Sequence, residues 1–185
     1  MASVQLSTTV RNAQAGVIET AIGTAPKVNF LDGSLPADCA AADPANVLCT
    51  VDCPSQWLES PVAGAVTITG SWVGIGLGSG YIRHFRLMNN GNTVCHMQGL
   101  VSQDWESATA YALTQQVNNG GNVYVCTTGG TSDSGGGPTG TGTGIVDNDV
   151  VWDYVGPVGM VLENTHIASD QGVNITQFTL TVGNA

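Results

Sequence analysis

The chain has 185 residues and a net charge of −10 with only four basic residues, so it lacks the dense lysine and arginine footprint that nucleic-acid phosphates require. The same shortage argues against docking on an anionic membrane surface, and we expect neither nucleic acid nor membrane as a partner. Charged residues make up 10% of the chain and glycine is present 25 times, which favours short strands and tight turns over a helical bundle.

The first predicted element is a helix over residues 7–23. Ser7 can cap its start by accepting a backbone N–H, and Gly23 can end it in the left-handed conformation. Apolar side chains recur at three- and four-residue steps, which predicts one stripe that leans on a larger body. The stripe consists of Val10, Ala13, Val17, Ala21 and Ile22. The residues ahead of the helix lack the regions of a signal peptide, so we expect synthesis in a cytosol.

Beyond Pro26 the apolar period changes to two, which predicts strands. Candidate strands cover residues 27–31, 46–51 and 65–76. Residues 82–88 and 93–98 should pair as an antiparallel hairpin, because Asn90-Gly91 suits a two-residue turn with positive φ angles.

The last predicted strand closes the chain. Phe178, Leu180 and Val182 alternate with threonines, whereas Val173 and Ile175 are out of phase with them, which predicts a β-bulge between Ile175 and Phe178. Many short strands and one helix predict a mainly β fold: an antiparallel β-sandwich of jelly-roll or immunoglobulin-like type, with an N-terminal helix and a small inserted β module.

Residues 103–157 are interpreted as that module, inserted into a β-sandwich base of residues 1–102 and 158–185. The segment has its own hairpin, in which Val117 and Tyr124 flank the turn 118–121. Residues 129–144 are too rich in glycine for a helix or a central strand and are predicted to form a surface loop. An insertion of this kind costs a host domain little, because closure entropy grows slowly with loop length.

No sequence motif supports catalysis. The glycine tract matches a G-x-G-x-x-G pattern over residues 135–140, but it has no strand before it and no helix after it. The acidic residues Asp147, Asp149 and Asp153 fail calcium-loop spacing because Val151 stands where an oxygen ligand belongs, so a solvated turn is favoured. We predict that the protein is not an enzyme and needs no cofactor.

The five cysteines do not predict a metal site. Cys49 and Cys53 stand close together, but a zinc site needs two more soft ligands at regular spacing, and the three histidines are scattered singly. Buried small hydrophobes are the favoured interpretation, and a disulfide formed after release from the cell is the alternative.

Aromatic residues gather in or beside the segment 103–157. Tyr111, Tyr124, Trp152 and Tyr154 are candidate glycan contacts, because flat rings stack on the C–H faces of sugars. The same rings can instead form the core of a small module, and the shortage of aliphatic residues there favours that role. Both roles stay open for individual rings.

Four segments resemble small virion structural proteins of tailed bacteriophages and prophages: STTVRNAQAGVIETAIGTAP, PADCAAADPANVL, HFRLMNNGNTVCHMQG and ITQFTLTVGNA. The resemblance runs from the first helix to the last strand, apart from residues 103–157. That segment resembles a second recurring phage segment, Y-x-x-G-x-x-V-x-N-G-G-x-x-Y-x-C followed by I-x-D-x-x-V-x-W-x-Y-V-G, and is similar to small chitin-binding-type carbohydrate modules. Thr114 stands where the pattern has its turn glycine.

The resemblance implies a capsid decoration (cement) protein on the virion surface. Its partners would be the major capsid protein and copies of itself, in a trimer, with the module 103–157 projecting outward. The alternative is a tail, collar or fibre component whose module binds host-surface glycan, where multivalent display makes weak sugar contacts effective.

Overall fold

The computed structural model describes residues 5–43, 45–175 and 178–182, and within them the helix α1 spans Thr8–Ile22. Its caps are those predicted. Ser7 Oγ accepts a hydrogen bond from the backbone N–H of Val10 at 3.3 Å, and Gly23 follows the helix at φ 93° with its N–H bonded to the Glu19 carbonyl. Both ends of the helix are therefore determined locally.

Most of the predicted apolar stripe of α1 does not face the core, because of its five residues Ile22 packs there and the other four are exposed. Val10 and Val17 are 44% and 62% exposed, whereas Ala15 is fully buried and Ile18 and Ile22 pack against the core. The helix is therefore rotated relative to the prediction.

Polar side chains explain this orientation of α1. Glu19 Oε1 accepts the backbone N–H groups of Trp57 and Leu58 at 3.2 and 3.3 Å. Asn12 Oδ1 accepts the N–H of Gly64 at 2.7 Å. Trp57 and Leu58 are buried, so without Glu19 their N–H groups would have no hydrogen-bond partner. The free energy lost in this way exceeds the free energy gained by burying Val10 and Val17 more deeply.

The strands of the described residues follow in chain order. They are β1 (Lys27–Leu31), β2 (Val47–Asp52), β3 (Ala65–Thr67), β4 (Trp72–Gly76), β5 (Gly80–Tyr81), β6 (His84–Met88), β7 (Cys95–Asp104), β8 (Ala110–Tyr111), β9 (Gln116–Asn119), β10 (Asn122–Thr128), β11 (Gly130–Thr131), β12 (Ile145–Asp147), β13 (Val150–Pro157), β14 (Met160–Val161), β15 (His166–Ile167), β16 (Gly172–Ile175) and β17 (Thr179–Thr181).

Eleven of these strands form one large sheet, in the order β12-β13-β10-β9-β7-β6-β1-β2-β4-β16, with β14 paired to β7. Neighbouring strands are antiparallel except where β7 pairs with β9 and with β14. Three two-stranded sheets, β8–β11, β5–β15 and β3–β17, complete the set. The fold is thus the mainly β, sandwich-type fold with an N-terminal helix that the sequence predicts.

The turn between β6 and β7 is longer than the two-residue turn predicted at Asn90-Gly91. Asn89 Oδ1 accepts the backbone N–H groups of Thr93 and Val94 at 2.8 and 3.2 Å, and the positive φ angle of 55° falls on Asn92. The Asn89 side chain organises this turn, so the glycine next to Asn90 is not needed for its φ freedom.

The strands predicted over residues 65–76 and at the end of the chain have different outcomes. The strand predicted over residues 65–76 is divided into β3 and β4, with Gly70 between them at φ 66°. The bulge predicted between Ile175 and Phe178 lies outside the described residues.

Buried apolar side chains form two clusters. The first joins α1 to β1, β2, β4 and β6 and contains Trp57 and Trp72, whose ring centroids are 5.9 Å apart. The second lies wholly within residues 105–154. The large sheet passes from one cluster to the other through β7, which pairs with β6 on one side and with β9 on the other.

Candidate functional site

The second cluster consists largely of the aromatic residues predicted as glycan contacts. Tyr111, Tyr124 and Trp152 are 4%, 1% and 0% exposed. The rings of Tyr111 and Trp152 meet edge to face at 5.0 Å, and Tyr124 meets the half-buried Tyr154 in the same way at 6.0 Å. A sugar can stack only on an exposed ring face. The structure therefore corrects the expectation for Tyr111, Tyr124 and Trp152, which are core residues, and leaves Tyr154 partly exposed.

A buried carboxylate organises this aromatic core. Asp147 Oδ2 accepts the indole N–H groups of Trp105 and Trp152 at 2.9 and 3.0 Å, and Oδ1 accepts the backbone N–H of Asp133 at 2.9 Å. Asp147 is only 6% exposed. The predicted solvated turn is therefore wrong for Asp147 and fits its neighbour Asp149, which is exposed.

The glycine tract of residues 129–144 lies over the same core in an ordered path. Asn119 Nδ2 donates to the carbonyls of Gly136 and Pro138, both at 3.0 Å. The Tyr124 hydroxyl donates to the Gly140 carbonyl at 2.9 Å. Apart from the short strand β11 at its start, the tract is a loop as predicted, and its backbone carbonyls anchor it.

Thr114, which replaces the turn glycine of the module pattern, adopts the conformation that the glycine would have. Its φ is 69°, which is the left-handed conformation that the pattern's glycine adopts easily. Its N–H donates to the Cys126 carbonyl at 2.9 Å. The threonine therefore keeps the turn at a cost of about 1–2 kcal/mol. The hairpin of β9 and β10 also forms as predicted, with Val117 opposite Tyr124.

One half of the outer face of the large sheet is covered by a loop, residues 33–43, which we call the cover loop. Arg86 Nη2 donates to the carbonyls of Cys39 and Ala41 at 2.8 and 3.1 Å. Gln98 Nε2 donates to the Pro36 carbonyl at 2.7 Å. These contacts hold the loop across β6 and β7.

An ionisable cluster lies beneath the cover loop. Asp43 Oδ2 is 3.2 Å from His84 Nε2 and 3.5 Å from Arg86 Nη1. His84 is fully buried, and Arg86 is 5% exposed. Burial lowers the pKa of His84, and the hydrogen bond that its ring makes to the Asp43 carboxylate offsets part of that effect. Sequence reasoning missed this cluster, because Asp43 is about forty residues before His84 and Arg86, which share β6.

Beyond the cover loop the outer face is mixed in polarity, because the exposed Asp52 of β2 lies opposite Val73 of β4. Val73 and Ile75 on the outer side of β4, and Leu77 just beyond its end, are 58%, 59% and 65% exposed. We call these three residues the apolar strip. On the inner side of β4, Gly74 and Gly76 allow close approach, since a Cβ at Gly74 would lie 2.6 Å from the Thr50 carbonyl oxygen.

An open groove of about 480 Å³ lies near the end of β7. Carboxylates and amides line part of it, including Asp104, Glu163, Asn164 and Asn174. Such side chains hydrogen-bond to neutral hydroxyl groups, so the groove suits a polyhydroxylated ligand better than an anion.

Within the described ranges, no three His, Cys, Asp or Glu side chains are grouped so as to hold a metal ion. In the same ranges, no helix combines the length and apolarity needed to cross a bilayer. No protein-family model, curated protein or solved structure matches the chain.

Proposed function

We propose that the protein is a structural protein of a tailed-bacteriophage particle and that it decorates the capsid. The observation that carries the proposal is the apolar strip, three uncharged side chains that the described residues leave exposed on one sheet face. In a protein with a net charge of −10, such a row is suited to pack against another protein. The sequence resemblance to phage virion proteins indicates the major capsid protein as that partner.

In this role the protein acts by burying surface across the seams between capsid subunits. Contacts with copies of itself, in a trimer, add to the same effect because several weak contacts then bind together. The module 103–157 faces outward, and its aromatic core and Asp147 keep its shape without support from the capsid.

Reassembly on heads that lack the protein tests the proposal. Purified protein is added to such heads, and bound protein is measured by co-sedimentation for the wild type, Ile75→Glu and Val146→Glu. Val146 is 72% exposed but lies on β12, far along the sheet order from the strip, so it is the matched control. Burying one large apolar side chain is worth about 1.5–3 kcal/mol, so Ile75→Glu should weaken binding by about tenfold or more. Equal binding by the three proteins would contradict the proposal.

A second candidate function is that of a tail, collar or fibre component that binds host-surface glycan. The groove with Asp104, Glu163, Asn164 and Asn174 favours it, since its side chains match sugar hydroxyls. Immunogold labelling of intact virions separates the two candidates. Gold over the head supports decoration, and gold confined to the neck, tail or tip supports the second candidate.

A further inference from the structure

The five thiols of the chain differ sharply in accessibility. Cys49, Cys53, Cys95 and Cys126 are buried, and only Cys39, on the cover loop, is partly exposed. Burial raises the pKa of the Cys49 thiol to about 11 and that of Cys53 to about 12, so neither forms a thiolate readily near neutral pH. An oxidant in solution must therefore meet Cys39 first.

Cys39 has one thiol neighbour. Cys95 begins β7 opposite Met88 of β6, on the sheet face that also carries Arg86, and its thiol helps to raise the pKa of Cys39. The Cys95 thiol itself donates to the Met97 carbonyl at 3.3 Å. Arg86 holds Cys39 over this face, because its Nη2 donates to the Cys39 carbonyl at 2.8 Å. The hydrogen bond from Gln98 to the Pro36 carbonyl holds the start of the same loop. The two thiols are thus brought together by contacts that do not depend on either thiol.

We propose that Cys39 and Cys95 are a disulfide-forming pair that latches the cover loop to the sheet when the protein meets a disulfide oxidant such as oxidised glutathione. The Cys39 thiolate attacks one glutathione sulfur, so a mixed disulfide forms and one glutathione thiolate leaves. The Cys95 thiolate then attacks the Cys39 sulfur, which forms the Cys39–Cys95 bond and expels the second glutathione. Two protein thiols are oxidised and one glutathione disulfide is reduced to two thiols.

The disulfide would bind the cover loop covalently to β7, where the reduced protein holds the loop by hydrogen bonds alone. It closes a chain loop of about 56 residues, which lowers the entropy of the unfolded chain and should raise Tm by about 10 °C. The inference is independent of the proposed function, since it concerns the covered half of the face and not the apolar strip.

Peptide mapping under non-reducing conditions, after exposure to oxidised glutathione, tests the proposal. The wild type should yield one cross-linked peptide pair containing Cys39 and Cys95. Cys95→Ser should stop at a stable glutathione adduct on Cys39, and Cys39→Ser should not react. Cys53→Ser, which changes a buried thiol outside the pair, should behave as the wild type. Because burial and the Cys95 thiol raise the pKa of Cys39, the reaction should accelerate as pH rises.

Three results would overturn the inference: a glutathione adduct that persists on Cys39 in the wild type, a cross-link that joins a different pair, or no reaction at Cys39. The Tm difference between oxidised and reduced wild type should disappear in Cys95→Ser. A Tm that is the same before and after cross-linking would refute the latch.

Discussion

Asp147 is the residue whose replacement should disturb the second cluster most specifically. Its carboxylate accepts three hydrogen bonds, from the indoles of Trp105 and Trp152 and from the backbone N–H of Asp133. Asp147→Ala removes all three acceptors at once. Trp152 is fully buried, so its N–H has no access to water in place of the carboxylate.

The cost follows from the burial of each donor. A fully buried donor left without a partner costs about 2 kcal/mol, and Trp105 and Asp133, which are closer to solvent, cost about 1 kcal/mol each. We therefore expect Asp147→Ala to lower the free energy of unfolding by about 4 kcal/mol, or Tm by roughly 10 °C. Asp147→Asn keeps one oxygen but turns an N–H₂ group toward a donor, so about half of that loss is expected.

Urea unfolding followed by tryptophan fluorescence and circular dichroism measures the effect as a shift of the midpoint at unchanged slope. Asp149→Ala is the matched control, because Asp149 is two residues away but exposed, and it should change stability by no more than about 0.5 kcal/mol. If Asp147→Ala were no less stable than Asp149→Ala, the carboxylate would not be holding the two indoles, and the reasoning would be wrong.

Two further predictions concern His84 and the glycine tract. Because burial lowers the pKa of His84 in the folded protein, His84 is protonated in the unfolded chain at a higher pH than in the folded one. The neutral, buried His84 therefore contributes fully to stability above about pH 6.5. Below that pH the contribution is lost, by at most about 1.4 kcal/mol per pH unit. Urea unfolding measured from above about pH 6.5 downward should show that acidification lowers the free energy of unfolding less in His84→Gln than in the wild type. His96→Gln, a change at an exposed site, is the control and should behave as the wild type. Parallel curves of stability against pH for all three proteins would contradict this. Gly137→Ala places a Cβ 2.8 Å from Trp105 Cδ2 at a φ of +68°, whereas Gly140, at +85°, has no atom within 4 Å of such a Cβ. Both changes carry the cost of positive φ, so thermal unfolding should show Gly137→Ala less stable than Gly140→Ala by about 1–3 kcal/mol, and equal Tm values would refute the contact.

Features encoded within a few residues were predictable from the sequence. The caps Ser7 and Gly23 bound α1 because capping involves only neighbouring backbone groups. The hairpin of β9 and β10 forms because Gly120 and Gly121 take positive φ angles of 61° and 82° between two short strands. The shortage of aliphatic residues in the module favoured a core role for its aromatic rings, and the burial of Trp152 fits that role.

Features that depend on distant partners were not predictable. The inward face of α1 is determined by hydrogen bonds that Glu19 accepts from the backbone of a loop almost forty residues further along the chain. The role of Asp147 depends on Trp105, and its position beside Asn148 and Asp149 gave it the local pattern of an exposed turn. A sequence pattern records neighbours along the chain, and both features are decided by neighbours in space.

The apolar strip is an intermediate case, because its signal was present in the sequence. Successive residues of a strand point to opposite faces, and the segment 72–77 has no polar residue on either face. One face carries Val73, Ile75 and Leu77, and the other carries Trp72 and two glycines. A strand with one solvated face should carry polar residues in the outer phase. The run therefore indicates a strand that needs cover on both sides, and among the described residues the first cluster covers its inner side.

The two halves of the outer face reverse the usual distribution of polarity. Arg86 is buried beneath the cover loop, beside Asp43 of that loop, and the uncharged strip around Ile75 is exposed. Burying an arginine requires several hydrogen-bond partners, and the cover loop supplies two carbonyls and one carboxylate, so its position is set by that requirement and not by the strip. Ile75→Glu should therefore leave the Cys39–Cys95 cross-link intact while it weakens binding to heads. Loss of both in this variant would indicate general unfolding instead of a damaged contact surface.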